Sequence, residues 1–253
     1  MRIMKKRIFS GAVCEQVVYR VQEGVKNTRA YLPNPRFENE EERQLHRLGM
    51  SRRHHADLVN ANFSPASLYS TLTFDMDDEI HDYKTAKKIR DNFVRILRYK
   101  YPEAVIFIYM GRGKTTHRIH FHMLSDGIPA EYIERKWKYG SIKRIDNLRS
   151  HCFYEGVDHG QDYTGLANYL FNHWEPEQGS HRWKMTKNAK QPEVERPTEV
   201  HARGGYTAQR PPRAPKGYML VETKETKYGL AYFKYVMIPE KEQKRKRGGI
   251  PPS

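Results

Sequence analysis

The sequence predicts an α+β fold: an antiparallel β-sheet with helices packed against it. The segment LYSTLTFD alternates Leu68, Ser70, Leu72 and Phe74 with Tyr69, Thr71, Thr73 and Asp75, the period of a half-buried strand. AVIFIYM, the turn-like GRGKTT and RIHFHML follow one another as two strands joined by a short glycine-containing loop, the pattern of an antiparallel hairpin. Between them, KTAKKIRDNFVRILRYKYP sets Ala86, Ile89, Phe93, Ile96 and Leu97 along one helical stripe, with Pro102 closing it.

Residues 1–64 form an N-terminal extension with a strand around EQVVYRVQ, a loop at YLPNPRF, and a basic helix on which Leu45, Leu48, Arg52, Ala56 and Val59 recur at three- and four-residue steps. Its polar face carries Arg43, Arg47, Arg52, Arg53, His54 and His55, either solvated or set against a DNA backbone. Beyond the hairpin, PAEYIERKWK is a short helix opened by Pro129, and GSIKRIDNL a further strand. DYTGLANYLFNHW is a helix with Asp162 as its N-cap and Pro176 soon after its end. Residues 191–239 read as loop and a strand pair, around YMLVET and YGLAYFKYVMI, packing on the central domain of residues 65–190. The basic, glycine- and proline-containing segment 240–253 is expected to be disordered.

Composition restricts the partners. Lys and Arg total 45 against 30 Asp and Glu, a net charge of +15, which points to a polyanion, nucleic acid first and an acidic membrane surface second. No apolar run is long enough to span a bilayer and no secretory leader is evident, so a soluble cytoplasmic protein without a membrane partner is expected. Cys14 and Cys152 are far apart and form no CxxC pair, as expected of free thiols in a reducing compartment.

The chemistry concentrates at RIHFHML. Ile119, Phe121 and Met123 share one strand face, and Arg118, His120 and His122 share the other. Two neutral imidazoles at i and i+2 can grip one divalent ion from the same side, although half-exposed sheet histidines are the ordinary alternative. His117 is out of phase with the pair and needs a bulge to join it. On the later helix, Tyr163, Leu166, Leu170 and Trp174 form an apolar stripe with Ala167 and Phe171 alongside. Tyr169 lies off it, near Gly165, Asn172 and His173. Tyr163 reads as core and Tyr169 as a polar-faced tyrosine.

In order and spacing, LYSTLTFD, HFH and NYLFNH resemble three motifs of the HUH endonucleases, the rolling-circle replication initiators of plasmids and small single-stranded DNA phages. RRHHADLVNANF and HRWKMTKNAKQP resemble their flanking segments, so the likeness covers roughly Arg52 to Pro192. It implies a ferredoxin- or RRM-like sheet in which His120 and His122 hold Mg²⁺ or Mn²⁺. Tyr169 would be the nucleophile that nicks single-stranded origin DNA, leaving a 5′-phosphotyrosyl link and a 3′-hydroxyl for the host helicase and polymerase. Asn172 and His173 stand where relatives often carry a lysine and a second tyrosine, so one tyrosine acts and these two are expected to position the phosphate. Relatives often supply an acidic third ligand from the strand before the histidines. Here that strand has none, which leaves Asp75. Arg52, Arg53, Arg112, Lys114 and Arg118 are the expected DNA contacts. Two rivals share parts of the pattern: a catalytically inactive nucleic-acid-binding module of the same fold, and a histidine-triad nucleotide hydrolase, whose first histidine would fall at Arg118.

Overall fold

The computed structural model describes residues 2–21, 38–75, 82–113, 118–149, 153–154, 157–158, 161–173, 183–201, 205–225 and 231–239. The N-terminal strands β1 (Arg2–Ser10) and β2 (Val13–Val21) lead to α1 (Glu40–Asn62). The central run is β3 (Leu68–Leu72), α2 (Tyr83–Lys100), β4 (Val105–Arg112), β5 (Ile119–Asp126), α3 (Ala130–Lys136) and β6 (Ile142–Asn147). There follow β7 (Phe153–Tyr154), β8 (Val157–Asp158), α4 (Thr164–Asn172), β9 (Trp183–Met185), β10 (Glu193–Val194), β11 (Thr198–Glu199), β12 (Tyr218–Glu225) and β13 (Ala231–Met237). The α+β class is as expected, and the chain divides into two compact units.

The central unit, 62–149 with 163–190, is an antiparallel sheet in the order β6-β3-β5-β4-β9. The anticipated hairpin is there: β4 and β5 pair with Gly111 opposite His120 and Tyr109 opposite His122. Ile119, Phe121 and Met123 are all but fully buried, and pack with Phe93 and Leu97 of α2 and Ile133 and Trp137 near α3. That leaves the histidine face for other work. Asp82, accepting from the backbone N–H groups of Lys84 and Thr85, caps α2.

The other unit joins 1–61, 150–162 and 191–253. Its sheet runs β10-β1-β2-β13-β12, with β11 also on β1. The N-terminal strands and the C-terminal strands thus belong to one sheet. β13 pairs with β2, closing both chain ends into one sheet. The physical reason is visible in β2, whose VCEQVVYRV is buried on both faces apart from Arg20 and so needs a neighbour on each side. Cys14 on it is a free, buried thiol that burial pushes up to about 12, while Cys152 lies outside the described residues.

Three local expectations are corrected. Leu45 and Leu48 are exposed, because α1 buries only its later turns, from His55 to Asn60. The polar face therefore loses His55, which is fully buried. Tyr163, not Asp162, is the N-cap of α4, since the Asp162 carboxylate is taken by the buried Lys234 ammonium. Residues 240–253 and His117 lie outside the described residues.

The turn between β1 and β2 tests the packing of α1. Gly11 has φ +58, and a Cβ there would lie 2.2 Å from the Asn60 carbonyl oxygen, whereas Gly49 on the exposed part of α1 has nothing within 4 Å. Gly11→Ala is expected to cost about 2 kcal/mol through strain and overpacking. Gly49→Ala is expected to add up to about 1 kcal/mol through helix propensity. Thermal unfolding of the full chain should lower Tm for the first and hold or raise it for the second.

Candidate metal centre

Two strand residues and the end of one helix meet on the second face of the central sheet, where Phe107, Tyr109 and Leu124 are also buried. His120 and His122 project together from β5, and His173, the C-cap of α4, comes down on them. Their nearest ligand nitrogens all lie within 4.8 Å of one another, and the His120 and His173 Nε2 atoms are 3.1 Å apart. Helix α4 is held there by Ala167, Leu170 and Phe171, which are buried with Tyr163. Burial pushes the Tyr163 phenol up to about 12. The apolar stripe thus assigns the helix faces as expected, except that Trp174 lies outside the described residues.

Each imidazole is differently placed. His122 is buried, and its Nδ1 lies 2.8 Å from the Tyr69 hydroxyl and 3.3 Å from the Thr71 hydroxyl. Its Nε2 is buried and meets no hydrogen-bonding atom among the described residues. A buried ring nitrogen without a partner costs about 1–3 kcal/mol, which a cation at that lone pair would offset. Burial, followed by the neighbouring His120 and His173, pulls the His122 pKa down to about 3, so it is neutral and available as a ligand. Ligation through Nε2 requires Nδ1–H to donate to Tyr69 or Thr71, which fixes the tautomer. The Tyr69 phenol is itself raised, chiefly by burial, and remains protonated.

Gly111 makes the room. A Cβ at that position would lie 2.5 Å from His120 Nε2 and 2.7 Å from His173 Cδ2. Any side chain on β4 opposite His120 would push the two imidazoles out of their positions. Sequence reading passed over Gly111, although its place across the hairpin from His120 is a register that the loop length could have suggested.

The donor set is one a divalent cation could use, and an ion would draw the nitrogens, spread over up to 4.8 Å, closer together. Right-angled ligands on bonds of about 2.1 Å stand about 3 Å apart, close to the separation of the His120 and His173 nitrogens. Three imidazoles without a carboxylate suit a transition ion better than Mg²⁺, so of the two expected metals the chemistry favours Mn²⁺. Asp75 is not in the group: it is exposed, and its backbone N–H donates to the Tyr139 carbonyl. His173 is the third member of the cluster, because the helix end reaches the two strand histidines, while Asp75 lies beyond the end of β3.

Tyr169 stands beside this cluster. It is 50% exposed, with its ring centroid 5.0 Å from that of His173 and 6.1 Å from that of His122. Asn172 is exposed at the end of the same helix. The expected DNA contacts divide. Arg52 and Arg112 are exposed and Arg118 is half-buried, while Lys114 lies outside the described residues. Arg53 is not available: its guanidinium is ion-paired with the buried Glu15 carboxylate and lies 4.5 Å over the Tyr232 ring. Burial works against that charge, and Glu15, Tyr232 and Asp57 together more than restore it. No protein-family model, curated protein or solved structure matches the chain.

Two measurements probe the centre. Gly111→Ala should leave the fold intact by circular dichroism and weaken Mn²⁺ binding at least tenfold by titration calorimetry. Wild-type Mn²⁺ affinity should in turn exceed Mg²⁺ affinity by a similar factor. The second concerns pH without metal. An unfolded His122 takes up its proton near 6.5 and the folded one only near 3, so its share of the stability is complete above 6.5 and is lost as pH falls towards 3. Between pH 7 and 5 this loss is about 2 kcal/mol, and urea unfolding of His122→Gln should show a pH dependence shallower by that amount.

Proposed function

We propose that the protein is a metal-dependent nickase and strand transferase acting on single-stranded DNA, of the HUH replication-initiator type. The observation that carries this is the half-exposed phenol of Tyr169 beside three converging imidazoles. An ordinary structural histidine pair has no need of a third imidazole or of a glycine kept opposite it. The net charge of +15 supports a polyanionic substrate.

In this reading His120, His122 and His173 hold a divalent cation, which supplies charge neutralisation to the scissile phosphate and the departing 3′-oxygen. Tyr169 Oη forms a bond to phosphorus as the bond from phosphorus to the 3′-oxygen breaks. The proton lost by the phenol is matched by one gained at the departing oxygen. The phosphodiester energy is kept in the tyrosyl link, so a 3′-hydroxyl can reverse the step and rejoin a strand. Tyr69 and Thr71 orient His122, and α4 carries both nucleophile and ligand four residues apart, on one helical face. Asn172, one turn from Tyr169, positions the phosphate. Arg112 and Arg118, at the end of the β4–β5 hairpin, guide the strand.

The histidine-triad alternative has nothing in its favour here, since the third imidazole comes from a helix and not from the same strand. The inactive-module alternative separates cleanly by assay. Tyr169→Phe should abolish nicking of single-stranded origin pools, by at least about a thousandfold, while strand affinity stays within about twofold. Tyr163→Phe should keep activity within a few-fold. Wild-type binding with no cleavage in Mn²⁺ would establish the inactive module instead.

A further inference from the structure

The second unit has a cleft of its own. It is about 380 Å³, within the range of roughly 300–1,000 Å³ that small-ligand sites occupy. Its floor is sheet: Ile8 of β1, Val17 of β2 and Val194 of β10, with Val194 51% exposed. Its wall is α1, where Met50, 40% exposed, stands at one end and the buried Asp57 at the other. Lys6 of β1, the exposed His54 of α1, Gln191, Pro192 and the ion-paired Arg53 complete the lining. The unit's buried charges explain the rest of this face: Glu15 accepts from Arg53 and from the Tyr232 hydroxyl, and Asp57 from the Ser10 hydroxyl.

Those features select a ligand. An apolar floor with exposed aliphatic edges suits a flat ring, and a lysine and a histidine at the rim suit an anion bonded to it. A carboxyl at the inner end, with the Gln191 amide in the same lining, can take hydrogen bonds from the edge of the ring. A nucleobase with its phosphate has all three parts, and the net charge of +15 favours a polynucleotide. We propose that this cleft between α1 and the β1–β2 face holds one unstacked nucleotide of single-stranded DNA. Its base lies against Ile8, Met50 and Val194, above the buried Val17, its phosphate lies by Lys6 and His54, and its edge is read by Asp57. The proposal rests on single-stranded DNA as the substrate and adds a second, metal-independent point of recognition, which gives the unit outside the histidine site a role in strand selection.

The test uses the full chain in EDTA, with fluorescence anisotropy on an oligodeoxythymidylate and on an abasic strand of equal length. Wild type should prefer the strand with bases by roughly tenfold, the scale of one base contact. Lys6→Glu should lose about tenfold on that strand. Lys5→Glu, on the other face of the same strand of protein, should lose less than about threefold. Equal losses would mean diffuse electrostatics and overturn the site. Photocrosslinking of a 5-iodouracil-substituted strand gives a readout on unmutated protein: adducts on peptides containing Met50 or Pro192 are expected, and their absence would overturn the proposal. If thymidine monophosphate at equal concentration displaced the strand, the cleft would be a free-nucleotide site and the strand assignment would fail. None of these readouts needs metal or Tyr169. Crosslinking at the cleft without nicking would sink the nickase alone, and nicking without crosslinking would sink the cleft alone.

Discussion

Everything assigned to the central unit depends on three imidazoles being crowded into a space that one absent Cβ leaves open. His120 and His122 would face solvent like any strand histidines were α4 not laid across them, and α4 can approach only because Gly111 stands opposite His120. The crowding has a cost. His122 keeps a buried Nε2 without a hydrogen-bond partner among the described residues, while its Nδ1 is engaged by Tyr69 and Thr71. A fold under pressure only for stability would replace such a ring with an apolar one. Keeping it makes sense where the lone pair has a cation to bind.

The other unit resolves its polar burial differently. Its charges are matched inside the protein: Glu15 with Arg53, Lys234 with Asp162, and Asp57 with Ser10. Removing one member of such a pair is expected to cost about 3–5 kcal/mol, since the partner is left charged and buried. Asp57 is raised to about 7, first by burial and then by Glu15, whereas burial lowers His55 to about 4. Between pH 7 and pH 4 the two oppose each other: Asp57 favours the folded state more as pH falls, and His55 favours it less.

The central unit was legible in the sequence because its elements are short-range and strongly periodic. The alternation at Leu68–Leu72, the stripe of α2 and the apolar run of β4 each state their own structure. The faces of α4 were legible too, which put Tyr163 in the core and Tyr169 outside it. Long-range pairing was not. Nothing local in YGLAYFKYVMI says that its partner is VCEQVVYRV, more than two hundred residues earlier. The third histidine of the cluster was missed for a related reason: an acid near the strand was sought, while His173 reaches the other two through the packing of a helix. Arg53 was misread because a basic helix face carries no mark of the single residue that a buried glutamate will claim.

The central claim is that three imidazoles of this chain bind one cation. Pulsed electron paramagnetic resonance on the full chain loaded with one equivalent of Mn²⁺ counts coordinated imidazole nitrogens directly. Three are expected in the wild-type protein and two in His173→Ala with the fold unchanged. A count of two or fewer in wild type, unaltered by loss of His173, would contradict it.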